Sequence, residues 1–170
     1  MGRYASNTKV SSEKSRNEIE RTLQRYGASG FGFWIEDDSA LVQFQIEKLK
    51  IAFKLPMPDR KNEEFTMSSH ERKNEEFTMS SHENDWQRKP LAAETAHRRW
   101  EQSCRQRWRA LALVIKAKLE AIDSGISTFE EEFMAHIMLP DGVTVGEKLV
   151  PGLTVLKETG DMPKLLIGKA

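Results

Sequence analysis

From Leu91 to Asp123 the chain runs 33 residues without a glycine or a proline, and Ala, Arg, Gln, Leu and Lys dominate the stretch. Those residues lose little conformational freedom in a helix, so the segment specifies one long helix. Trp100, Cys104, Trp108, Leu111, Ile115, Leu119 and Ile122 recur at spacings of three and four, which lays a single apolar stripe along it. A striped helix must cover that stripe with another apolar surface.

The surface is written upstream, where the period changes to two. Phe31, Phe33 and Ile35 alternate with Gly32, Trp34 and Glu36, and Asp37, Asp38 and Ser39 form a turn signal. Val42, Phe44 and Ile46 alternate with Gln43, Gln45 and Glu47, and Leu49, Ile51, Phe53 and Leu55 alternate with Lys50, Ala52 and Lys54. Runs separated by so few residues predict a three-stranded antiparallel meander, apolar on one face, with Trp34, Gln43, Gln45, Lys50 and Lys54 on the other. Pro56 and Pro58 end it, since proline cannot donate to the ladder.

Ahead of the strands, Ser15–Glu18 has capping-box form and Ile19, Leu23 and Tyr26 share a face before Gly27, which predicts a helix over 13–26. After the long helix, Ser127–Glu130 reads as a second capping box, opening a short helix with Phe129, Phe133 and Ile137 inward. The sequence thus predicts an α+β fold of order α–βββ–α–α. It forms one domain over 1–150, with the meander packed on one face by the long helix, and a Gly/Pro-punctuated tail over 151–170.

One segment interrupts this plan. Residues 60–71 read RKNEEFTMSSHE, and residues 72–83 repeat the same letters. Solenoid repeats diverge and need about three units, so two identical copies indicate a recent in-frame duplication or an assembly scar. Each copy carries one Phe and one Met, so residues 59–90 are expected to form a long, polar, mobile loop.

Composition narrows the function. Lys plus Arg and Asp plus Glu number 26 each, which excludes a uniformly basic or acidic binding protein but not a locally basic face. A lone cysteine excludes an internal disulfide and CxxC zinc chemistry. The longest apolar run, Ala110 to Ile115, is too short to span a bilayer, and no basic-then-apolar leader opens the sequence. The expectation is a cytoplasmic protein without a membrane partner.

The long helix carries the most informative charge pattern. At about 100° per residue, Arg98, Arg105, Arg109 and Lys116 fall within roughly 20° of one line, about 110° from the apolar stripe. A cationic row about 27 Å long can track several phosphates. Trp34 on the polar sheet face offers a ring for a base to stack on, beside Lys50 and Lys54. The same features also fit a solvated helix face and an exposed tryptophan at a protein contact.

Other constellations point to structure. Gly27–Gly32 follows a helix and precedes a strand, the reverse of a phosphate-cradling loop. Glu132 and His136 lie four apart without a third metal ligand of recognisable spacing, and Cys104 sits in the apolar stripe. No nucleophile–base arrangement stands out, so neither catalysis nor a cofactor is expected.

The segments SEKSRNEIERTLQRYGA (12–28), PMPD (56–59) and 100–142, from WEQSC to LPDG, resemble a family of uncharacterised small proteins encoded by tailed phages and prophages. The resemblance covers most of the chain outside the duplicated loop and the tail, and implies a viral or mobile-element setting without implying an activity. The order of three strands then a helix is also similar, in topology alone, to the core of phage single-strand-annealing proteins. Two functions follow as expectations. One is a non-enzymatic accessory protein that binds DNA or RNA, single-stranded DNA in particular, through Arg98, Arg105, Arg109, Lys116, Trp34, Lys50 and Lys54. The other is a module that binds or inhibits a host protein, or forms a homo-oligomer.

The duplication yields a direct test. Deleting residues 72–83 shortens the connection to the long helix from about 33 to about 21 residues, a gain of only about 0.4 kcal/mol in loop-closure entropy. Thermal melting of the deletion variant should match that of the intact chain to within a few degrees. A variant that fails to fold would show that the second copy is an integrated element.

Overall fold

The computed structural model describes residue 5 and residues 7–36, 38–68 and 90–160. Among the described residues, five α-helices, labelled α1 (Ser12–Arg25), α2 (Glu63–Thr66), α3 (Ala93–Asp123), α4 (Phe129–Phe133) and α5 (Val145–Thr159), accompany three strands, β1 (Ala28–Ile35), β2 (Ser39–Ile46) and β3 (Leu49–Pro56), and a 3-10 turn at Met134–His136. The strands form an antiparallel sheet in the order β1-β2-β3, so the α+β meander stands as the sequence specifies it.

Register decides which side chains share a face. Phe33 pairs with Val42 and Val42 with Phe53, while Trp34 pairs with Leu41 and Leu41 with Lys54. The first row belongs to the inner face. Val42, Phe44, Ile51 and Phe53 pack there with Trp108, Leu111, Ile115 and Leu119 of α3 and with Ile19 and Leu23 of α1. Phe133 closes the β3 side, its ring meeting Phe44 and Phe53 edge-on at 5.9 and 6.1 Å. Trp108 and Ile115 are almost wholly inaccessible. The inner face is less complete along β1 than the alternation predicts, because Phe33 and Ile35 remain 42% and 55% exposed. Phe33 is screened in part by Trp108, edge-on at 6.2 Å, and by the Arg16 guanidinium, 4.7 Å above its ring.

Capping differs from the sequence reading by a few residues. Ser11 caps α1 by accepting from the Lys14 N–H, and Ser15 is buried one turn further in, its hydroxyl donating to the Ser11 carbonyl. Glu18 is thereby free of capping and reaches α3. Thr128, not Ser127, caps α4, in a reciprocal box with Glu131. Its two backbone and hydroxyl donors hold the Glu131 carboxyl below the usual carboxylate range.

Two larger expectations change. Residues 151–159, read as tail, form the second half of α5, which runs through Pro151 and ends at Gly160 in a left-handed conformation (φ +77°). A proline deprives the helix of one hydrogen bond; the Thr144–Glu147 capping box offsets part of that loss by anchoring the first turn. Residues 161–170 lie outside the described residues.

The start of the expected 59–90 loop is docked on α3. Phe65 of α2 is 4% exposed, Met67 bridges Pro90, and the Leu91 N–H donates to the Thr66 carbonyl at 2.8 Å. Trp100 donates to the Pro58 carbonyl at 2.8 Å and Arg107 to the Pro56 carbonyl at 2.6 Å. One phenylalanine is enough of an anchor when the neighbouring helix offers backbone-directed donors on the same side. Residues 69–89, which include all of the second copy, lie outside the described residues.

Two tryptophans, one buried and one exposed, test this register. Trp108→Ala should cost about 3–5 kcal/mol of stability, as deletion of a large core aromatic does, whereas Trp34→Ala should leave the denaturant midpoint nearly unchanged. Reversal of the two effects would mean that every strand side chain faces the wrong way.

Candidate nucleic-acid interface

The residues that sequence reasoning groups into one site lie on two sides of the sheet. Arg98, Arg105, Arg109 and Lys116 belong to α3, which covers the inner face, while Trp34, Lys50 and Lys54 belong to the outer face. The structure does not bring the two sets together.

The α3 row is also less available than its periodicity suggests, because α1 lies beside it. Arg109 forms an ion pair with Glu18 of α1. Arg105 donates twice to Gln102, at 3.1 and 2.8 Å, and approaches Glu101 at 3.6 Å. Arg98 and Lys116 are exposed, with no ion-pair partner among the described residues. Two of the four expected phosphate-binding cations are thus already compensated within the fold. Tyr26 adds a further tie between α1 and α3 through its hydroxyl donating to Glu120 at 3.4 Å.

The outer face presents a different chemistry. Trp34 is 54% exposed, and the far rim of its indole folds back over Gly32. A Cβ at position 32 would come within 2.8 Å of Trp34 Cη2 and 3.2 Å of Cζ3, so the glycine is the seat of the ring. Two hollows flank it. One, of about 280 Å³, is lined by Gly30, Gly32, Trp34, Gln43, Gln45 and Lys50, and no carboxylate of the described residues lines it. The other, of about 500 Å³, lies between the outer face and the 135–147 segment, where Lys54, His136, Glu36 and Glu147 meet Trp34, Leu41 and Ala52.

Charge separates these hollows. Thr144 donors hold the Glu147 carboxyl below the usual range, with a smaller contribution from Lys54, so that lysine faces a carboxylate. His136 stacks on Phe53 with ring centroids 3.9 Å apart. Burial lowers its pKa, as does the Lys118 charge, while a hydrogen bond with the Ala52 backbone acts in the opposite sense. Glu132, four residues before it, instead receives Lys118 at 3.2 Å, so Glu132 and His136 do not share a ligand. Cys104 is a buried thiol pushed up to about 11, chiefly by burial.

Sequence reasoning missed the cations of α1. Lys14, Arg21 and Arg25 are exposed and, at about 100° per residue, share one side of that helix within roughly 20°. Their spacing of seven and four is as legible as that on α3. Three acidic neighbours, Glu13, Glu18 and Glu20, mask it in a count of charge. Among the described residues, no helix is long and apolar enough to cross a membrane.

No protein-family model, curated protein or solved structure matches this chain.

Proposed function

We propose that this protein is a non-enzymatic nucleic-acid-binding protein that stacks the bases of a single strand on the outer face of its sheet. One observation carries the reading: a half-exposed tryptophan seated on a glycine, beside a carboxylate-free hollow that holds a lysine and two glutamines. Aromatic stacking accepts any base, because every base has a π face, and it needs bases that are not already stacked in a duplex. Lys50 supplies the phosphate contact next to the ring. Lys54 lies in the cross-strand row of Trp34 and Leu41, about 10 Å away by strand spacing, but it faces the Glu147 carboxyl and contributes less to phosphate binding than Lys50. The amides of Gln43 and Gln45 offer hydrogen bonds to base edges. In this reading the arginines of α3 are secondary, and the setting is the phage or mobile-element one implied by the sequence resemblance.

A protein-interaction module is the second reading, and α5 favours it. None of its fifteen residues is buried, and Val150, Leu153 and Val155 are 57%, 44% and 43% exposed. Aliphatic side chains in that number on one solvent-facing helix suit a protein partner or a second copy.

Fluorescence anisotropy with a labelled single strand at low salt tests the first reading. Trp34→Ala should weaken binding by about 1–3 kcal/mol, the usual worth of one base–aromatic stack, with the fold intact by circular dichroism. Gly32→Val, which unseats the ring, should weaken it in the same direction. Binding that is indifferent to both changes would take Trp34 out of the interface, and absence of binding in the unmodified protein would favour the α5 surface instead.

A further inference from the structure

The groove between α1 and α3 is a surface of another kind, about 990 Å³ in volume. Lys14, Arg21 and Arg25 line it from α1 and Lys116 from α3. All four are exposed and have no ion-pair partner among the described residues. The groove also contains two carboxylates. Glu18 is neutralised by Arg109, which leaves Glu13 as the one carboxylate of the lining without an ion pair among the described residues. The balance is four free cations against one free anion.

Two features choose the occupant. Every lining side chain among the described residues is polar or charged, from Ser11 to Lys116, so the groove's apolar surface comes from the stems of charged side chains and not from an apolar side chain. Protein partners bind through a buried apolar or aromatic core, and nothing here would hold one. Among the described residues the groove presents no aromatic ring on which an unstacked base could lie. What remains is recognition by charge and by hydrogen-bond donors alone. A phosphodiester backbone needs that, and a duplex, whose bases are stacked inward, presents little else along its strands. The row from Lys14 to Arg25 extends about 16 Å along α1 at ~1.5 Å per residue, long enough to follow several successive phosphates of one strand.

We infer that the α1–α3 groove binds the phosphodiester backbone of double-stranded nucleic acid through Lys14, Arg21, Arg25 and Lys116, independently of base sequence. The groove is on the helical side of the sheet and Trp34 on the other. The domain therefore carries a duplex-binding surface and a single-strand-binding surface back to back, an arrangement suited to a junction between paired and unpaired strands. The groove assignment stands on its own charges and does not require the sheet-face reading.

The test uses the full chain with a labelled blunt duplex and, separately, a labelled single strand of the same length, each titrated over a range of salt. The triple variant Lys14→Gln, Arg21→Gln, Arg25→Gln should weaken duplex binding and flatten the slope of log affinity against log salt by about 2.7, at about 0.9 for each phosphate no longer neutralised. Trp34→Ala should leave duplex binding unchanged, so failure of the sheet-face reading and failure of this one are read from different titrations. Glu13→Gln, which removes the uncompensated carboxylate at a small cost to the first turn of α1 that circular dichroism can check, should tighten duplex binding. Unchanged duplex affinity and slope in the triple variant would overturn the inference. So would a failure of Glu13→Gln to tighten binding, or a poly-glutamate competitor that displaces the duplex at equal charge concentration.

Discussion

The packing of α3 on the inner face of the meander is the contact from which the other placements follow. Trp108, Leu111, Ile115 and Leu119 meet Val42, Phe44, Ile51 and Phe53, and burial of these side chains is the main favourable contribution available to a small sheet that has only one covered face along β1 and β2. Once that layer is fixed, strand alternation leaves no choice for the rest. Trp34, Gln43, Gln45 and Lys50 must point away from α3, and α1 must lie along the flank of α3, where Ile19 and Leu23 complete the same core. A single-residue slip of β2 would bring Gln43 into the apolar layer, and one of β3 would bring in Lys50, which is why the register is strongly specified.

Legibility in the sequence followed locality. The three strands and α3 were readable because each rests on a period within its own segment: two for Val42 and Phe44 or Ile51 and Phe53, and three or four for Trp108 through Leu119. The exposure of Trp34 followed from the same alternation. What was not readable depends on contacts between segments distant in the chain. The pairing of Arg109 with Glu18 joins residues 91 positions apart, and no helical wheel of α3 alone contains it. The docking of Phe65 depends on a surface that exists only after α3 forms. The continuation of α5 through Pro151 contradicts the local reading of proline as a stop, and Gly160 rather than Pro151 marks its end. The cap of α1 moved from Ser15 to Ser11 because two serines four apart offer the same local signal.

The candidate site illustrates the same division. Periodicity identifies which cations are aligned, and it did so for α3, yet alignment does not establish that a charge is free. In the folded chain Arg105 and Arg109 are engaged by Gln102, Glu101 and Glu18, while the aligned cations of α1 remain open. A net charge of zero is thus compatible with a locally cationic groove, because several of the acids that balance the count are spent on ion pairs and helix caps. The outer face gains its character from a small residue: without Gly32, the indole of Trp34 would be lifted from the sheet, and the flanking hollow with Lys50 would change shape.

In the proposed function the outer face, and Trp34 within it, meets the bases of a single strand while the α3 layer stays a closed core. Titration of the isotopically labelled protein with a short single-stranded oligonucleotide, followed by the indole N–H signals in a two-dimensional NMR spectrum, tests that claim most directly. If the outer face stacks bases, the Trp34 indole signal shifts or broadens progressively, along with the backbone signals of Gln43, Gln45 and Lys50, while the Trp108 indole signal holds its position. A Trp34 signal that stays fixed while strand is bound would contradict it, as would a large shift at Trp108.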